Sequence, residues 1–205
     1  MSPVLTMSPV LIGVTGGIGS GKSMVCRVCA LRGIPVYDCD FRAKALMHAD
    51  PAIRAFLLAE VGEEAYRPDG SLNRALLSEH IFSNCEVRRR VEKKVHAAVR
   101  EDLSAWLSSL PAGTSVALVE SAILHTSGLD CLTSEIWLVE APDEVRVRRV
   151  MLRSALSRDE VTARMRAQQT EFLCLPPSRT RAILNDGVTS LLPQIDTLLK
   201  QIIQN

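Results

Sequence analysis

The sequence predicts an α/β protein: a three-layer α/β/α domain on a five-stranded parallel sheet. Three observations carry that expectation. Short, nearly continuous apolar runs alternate with helical stretches, a glycine-rich loop joins the first run to the first helix, and one long all-helical stretch interrupts the alternation. With 205 residues, 47% hydrophobic and 23% charged, the chain is long enough for one domain spanning residues 1–205, and wholesale disorder is excluded.

Met1-Ser2-Pro3-Val4-Leu5 recurs as Met7-Ser8-Pro9-Val10-Leu11. The repeat is too short to be a structural unit, so residues 1–7 are expected to be a disordered or alternative-start extension. Val10 to Thr15 reads as a strand buried on both faces. Glycines follow at 16, 17, 19 and 21, then a helix over 22–32 that ends at Gly33, and a second strand from Ile34 to Tyr37. Residues 40–60 are helical with a break at Asp50-Pro51, and Pro68-Asp69-Gly70-Ser71 is a turn. Over 84–110, Val87, Val91, Val95, Val99 and Leu103 form one apolar helical stripe. Strands return at 115–120 and 135–139. Pro142 suits the first position of a helix reaching Arg153, and Ser157 with Glu160 has capping-box spacing. A strand over 181–185 and a helix from Ser190 complete the chain. The stretch 41–110 is expected to be an inserted substrate-binding lobe, and about 146–175 an arginine-bearing lid.

Composition excludes several functions. Net charge is +1 and the aromatics are four Phe, two Trp and two Tyr, so there is neither a global electrostatic footprint for nucleic acid nor material for a base-stacking platform. No apolar run approaches the ~20 residues of a membrane span. The first charged residue is Lys22, so no secretory signal is expected and the location is read as cytoplasmic. The six cysteines lack the spacing of a zinc site and are expected to be reduced and mostly buried.

Gly16-Gly17-Ile18-Gly19-Ser20-Gly21-Lys22-Ser23 satisfies G-x-x-x-x-G-K-[ST] between a strand and a helix. Glycines let successive backbone N–H groups face one anion, and the positive end of the following helix points at the same place. Lys22 supplies a mobile charge for the β/γ-phosphates of ATP, and the Ser23 hydroxyl reaches Mg²⁺. Met24 follows in the first helical turn. Asp38 and Asp40 come at the end of the second strand, the edge where α/β sheets bind ligands. A carboxylate there can accept the proton of an attacking hydroxyl, and in extended geometry the two aspartates would share a face. Glu120, at the end of the third strand, is either a metal-facing acid or a helix-cap or surface acid. Nine arginines against five acids make 141–181 locally +4. Arg146, Arg149 and Arg153 fall on one helical face, with Arg148 expected elsewhere on the helix. Arginine forks suit polyphosphate oxygens, which favours a lid closing on ATP. From the residues alone the reading is a small-molecule kinase; a nucleotide-binding module that transfers nothing is the alternative.

The sequence resembles the dephospho-CoA kinases over nearly its whole length. The likeness rests on Thr15 to Ser23; on Val36-Tyr37-Asp38-Cys39-Asp40 with Lys44; on Asp69 to Arg74 with Ile81-Phe82; on His96; and on Ala141-Pro142, Arg149, Arg153, Arg164 to Gln168 and Leu184-Asn185. The resemblance implies ATP-dependent phosphorylation of the ribose 3′-hydroxyl of dephospho-CoA. Asp40 would be the base, Lys44, Arg74 and His96 would lie near the substrate together with Asp38, and Arg149, Arg153 and Asn185 would contact ATP. Another nucleoside or small-metabolite kinase is the alternative within the class. The chain departs from the family where Ala122 and Thr126 replace a usual proline and glutamate, and where Ala97 follows His96.

Overall fold

The computed structural model describes residues 8–204, so the segment 1–7 lies outside the described residues. In chain order the elements are β1 (Val10–Thr15), α1 (Lys22–Leu31), β2 (Val36–Asp38), α2 (Cys39–Ala49), α3 (Pro51–Val61), α4 (Arg74–Ser83), α5 (Cys85–Ser109), β3 (Val116–Glu120), β4 (Glu135–Glu140), α6 (Asp143–Arg153), α7 (Arg158–Ala167), α8 (Gln169–Leu173), β5 (Thr180–Leu184) and α9 (Leu191–Gln204). They form two compact units. An α/β unit takes in the chain up to Asp38 and from Ser109 onward, and a helical unit is Cys39–Ser108. Among the described residues no helix is long and apolar enough to cross a membrane.

The α/β unit is built on one parallel sheet in the order β2-β3-β1-β4-β5. β1 and β3 are apolar on both faces because helices cover both sides; Ile12, Val14, Leu118, Trp137 and Ile183 are buried with Val25 and Cys29 of α1 and Ile195 of α9. Buried Trp137 keeps its indole N–H satisfied on Glu135 Oε1 at 2.7 Å. β2 starts two residues later than the sequence suggests. The Ile34 N–H turns back to the Cys29 carbonyl at the end of α1, and Pro35 has no N–H to give. Pro142 stands just before α6 rather than inside it: its backbone is extended, and its carbonyl accepts from Arg146 N to open the ladder. The capping box forms at Ser157 and Glu160, whose bonds to Ser157 hold its carboxyl below the usual range. All six cysteines are free, but only Cys26, Cys29 and Cys39 are buried, while Cys85, Cys131 and Cys174 are exposed.

In the helical unit the stripe of α5 is buried as expected from Val87 to Leu103. Asp50 caps α3, accepting from Ala52 N at 2.7 Å and Ile53 N at 3.0 Å, with Pro51 at the position where a missing N–H costs nothing. Arg42 on Asp102 ties α2 to α5, and Arg90 on Glu60 ties α5 to α3. Tyr66 and Leu72 pair across a tight turn, and the Tyr66 hydroxyl donates to Met47 O at 2.7 Å, fixing that turn against α2.

Candidate active site

β1 runs directly into the glycine loop, and Lys22 and Ser23 open α1. Gly21, at the head of that helix, has φ 97°, a left-handed backbone that glycine adopts without steric cost. Any Cβ there would also lie 2.1 Å from the Asn185 amide nitrogen. The first N–H groups of α1 have no intrahelical carbonyl, so they and the helix dipole face the mouth of the loop with positive potential. Lys22 Nζ donates to Gly16 O at 2.8 Å.

Side chains distant in sequence hold the loop in shape. Ile18 is gripped from both ends: its N–H donates to Gln168 Oε1 at 2.8 Å, and its carbonyl accepts from Arg146 Nε at 3.0 Å. Arg146 packs so closely that a Cβ on Gly17 would sit 2.1 Å from its Nη2. Arg149 donates to Asn185 O at 2.9 Å and, at 3.4 Å each, to the carbonyls of Gly19 and Ser20. Asn185 in turn donates to Ser20 O at 2.7 Å. Arg149 and Asn185 are therefore brought together on the loop, where both donate to the protein's own carbonyls.

Arg153 is exposed at the end of α6 and makes no hydrogen bond or ion pair among the described residues. It lies ~10 Å along the axis from Arg146. Arg148 is exposed and does not join Arg146 on the loop. With Arg149 it lines a cleft of about 970 Å³ between α6 and the turn at Asp186–Val188. The contacts of Arg146 and Gln168 with the loop were not foreseen; Arg146 belongs to the arginine stripe and Gln168 closes the Arg164 to Gln168 segment of the family likeness, but neither feature points to Ile18, 150 residues from Gln168.

Glu120 contacts the residue that ends the glycine loop. Its Oε1 accepts from Ser23 Oγ at 2.7 Å, and its backbone is in register with Asp38 on one side and Val14 on the other. The Cys26 thiol lies beside it: burial first, then the charge of Glu120 and a hydrogen bond to it, push that thiol far above its ordinary range, so it stays protonated. Cys29 is likewise pushed up to about 11 by burial. Among the described residues no group of three or more His, Cys, Asp or Glu could hold a metal ion. The oxygen pair of Ser23 and Glu120 fits Mg²⁺, which takes one or two protein oxygens together with substrate phosphates.

Asp38 and Asp40 are both exposed, but the strand ends at Asp38 and Asp40 already belongs to the first turn of α2. The shared face expected from an extended backbone is therefore lost, because a helix turns successive residues by about 100°. In the helical unit Lys44 and Arg74 line one cleft of about 280 Å³. His96 is half-buried on α5 and is not among its lining residues. The loop after β3 shows what accompanies the missing family glutamate. Buried Glu171 of α8 accepts from Thr126 N at 3.1 Å, Thr126 Oγ1 at 2.5 Å and His125 N. His125 is structural, its Nδ1 on buried Asp130 at 2.8 Å.

Comparison with known proteins identifies the family. The family model for dephospho-CoA kinase matches residues 10–175. A dephospho-CoA kinase from Porphyromonas gingivalis is 35% identical over 193 residues, covering 94% of each chain. One from Bacteroides fragilis is 38% identical over 189 residues, 92% of this chain and 90% of the relative. The crystal structure of TT1252 from Thermus thermophilus is 35% identical with a TM-score of 0.77, covering 97% of this chain and 98% of that one.

Proposed function

The chain belongs to the dephospho-CoA kinase family, and from that premise we propose how its residues divide the work. The reaction moves the γ-phosphoryl of ATP to the 3′-hydroxyl of dephospho-CoA, giving CoA and ADP, the last step of coenzyme A biosynthesis. The observation that carries the residue roles is the contact of Ser23 with Glu120 beside a glycine loop braced by Arg149 and Asn185.

The loop N–H groups from Gly16 to Ser23, with Met24 behind them, cradle the β- and γ-phosphates, and Lys22 leaves Gly16 O to follow the charge of the transferred group. Arg149 and Arg153 approach the phosphates from α6, and the nucleoside of ATP occupies the cleft between α6 and the Asp186–Val188 turn. Ser23 and Glu120 hold Mg²⁺, which when bound neutralises charge on the phosphate oxygens. Asp40 accepts the proton of the 3′-hydroxyl as the oxygen–phosphorus bond forms and the bond to the β-phosphate oxygen breaks. Asp38 orients the acceptor, and Lys44, Arg74 and His96 bind it. The residues from about 146 to 175 act as the lid.

A coupled assay of ADP release with and without dephospho-CoA tests the reading. Release that requires dephospho-CoA, with CoA as product, is expected. Release that is indifferent to dephospho-CoA and driven by a nucleoside or another small alcohol would replace it.

A further inference from the structure

The cleft of the helical unit gathers basic side chains from α2, from the turn before α4 and from the start of α4 on an open surface. It is lined by Lys44, Met47 and His48 of α2, by Arg67, Ser71 and Leu72 of the turn before α4, and by Arg74 at the start of α4. No carboxylate lines it. Elsewhere in the unit arginines are neutralised: Arg42 by Asp102, Arg88 by Glu92, Arg89 by Glu86 and Arg90 by Glu60. Arg54 lies 4.1 Å over the Tyr66 ring. Among the described residues the side chains of Lys44 and Arg74 have no hydrogen-bond or ion-pair partner, and Arg67 lies near Asp69, whose carboxylate accepts from Ser71 N at 2.9 Å.

Such an arrangement repels itself unless an anion enters. Arg74 intensifies the field, because it opens α4 at the positive end of the helix dipole. The walls are fixed by the Tyr66 hydroxyl on Met47 O, so the cations need not be gathered by the ligand. Asp40, Lys44 and His48 follow one another at intervals of four on α2, which places them on one face. Lys44 then stands ~6 Å and His48 ~12 Å along the axis from Asp40. In dephospho-CoA the 3′-hydroxyl and the 5′-diphosphate are separated only by the ribose and its 5′-carbon.

We infer that Lys44, His48, Arg67 and Arg74 form the binding site for the 5′-diphosphate of the acceptor, so that the cleft selects a ribose bearing a 5′-diphosphate and Asp40 meets its 3′-hydroxyl one helical turn away. The inference rests on the kinase reading and adds His48 and Arg67 to it, with a diphosphate as the group recognised. It also assigns the cleft to the acceptor and not to ATP.

The test is steady-state kinetics of the full chain with dephospho-CoA and with adenosine as acceptors, for wild type, Arg67→Ala and His48→Ala. Both residues are exposed, and unchanged melting confirms that the variants fold. Loss of one charge-assisted contact is expected to raise KM for dephospho-CoA about tenfold or more in Arg67→Ala, with less in His48→Ala. The KM for ATP should stay the same, and adenosine, which lacks the diphosphate, should lose nothing. In parallel, with AMP-PNP saturating the nucleotide site, inorganic pyrophosphate should bind wild type and bind Arg67→Ala about tenfold more weakly. An unchanged KM for dephospho-CoA, or a KM for ATP that rises with it, overturns the assignment of the cleft. A wild-type protein that leaves dephospho-CoA unphosphorylated overturns the kinase reading itself, and the pyrophosphate measurement then shows separately whether the cleft takes the anion.

Discussion

Arg146 and Arg149 of the α/β unit and Arg67 and Arg74 of the helical unit are the same residue type put to opposite uses. The first pair is bonded to the protein, donating to Ile18 O and to the carbonyls of Gly19, Ser20 and Asn185, even though Arg149 also lines a cleft. The second pair lines an open cleft with no carboxylate on its walls. Guanidinium groups that satisfy backbone carbonyls fix a shape, and their removal strands acceptors. Guanidinium groups that face a cleft hold potential for a ligand, and their removal leaves the fold untouched. On the proposed reading the difference also bears on catalysis: the glycine loop is braced by the protein itself, whereas the acceptor cleft would be organised by charge.

The largest effect should come from Asp40→Asn in the helical unit. Loss of a general base costs about 10²–10⁴ in rate, while the near-isosteric amide preserves positioning. Single-turnover rates should collapse with Mg-ATP affinity retained, and Asp38→Asn should lose less. If Asp38→Asn alone loses the chemical step, the roles are exchanged. On the α/β side, Lys22→Ala should cost about 10²–10³ in kcat with an unchanged melting temperature, since the side chain lies at the loop, donating to Gly16 O, and not in the buried core. Substantial residual turnover would remove the loop from the phosphate site.

Arg149→Ala separates the two uses of arginine. It should lower activity and also destabilise the fold by about 1–3 kcal/mol, because Asn185 O and the loop carbonyls lose their donor. Arg67→Ala and Arg153→Ala should stay within about ±0.5 kcal/mol in stability. Arg148 lines the same cleft as Arg149, so exposed Arg166 is the better control. Equal denaturation midpoints for Arg149→Ala and Arg67→Ala would erase the contrast.

The smallest effect concerns the cap of α7. Ser157→Ala should cost about 1 kcal/mol, read from urea midpoints. Its partner Glu160 has a folded pKa below its ordinary 4.5, so its contribution is complete above that value and is lost as pH falls through the folded pKa. In Glu160→Gln that acid-side loss of stability should flatten. An unchanged pH slope would show that the cap bond does not persist in solution.

Several features were legible from residues alone because their cause is local. The apolar runs predict the parallel strands, the glycine spacing predicts the loop and the helix after it, and Ser157 with Glu160 predicts its own cap. The stripe from Val87 to Leu103 predicts the buried face of α5. Each depends on neighbours within a few residues, so the chain encodes it directly. What brings Gln168 to Ile18, Glu171 to Thr126 and the Cys26 thiol to Glu120 is the packing of elements that are far apart in sequence, and no periodicity records such pairs. The three candidate arginines of α6 share one helical stripe in the sequence, and only their placement against the loop decides that Arg146 and Arg149 are bonded while Arg153 is free of partners among the described residues. Likewise Lys44, His48, Arg67 and Arg74 are scattered over thirty-one positions from 44 to 74, and they become one cationic cleft because the Tyr66 turn closes onto α2. Sequence fixes what nearby backbone and side chains can settle among themselves; tertiary structure decides which distant charges share a cavity, because that depends on how helices and loops fill space.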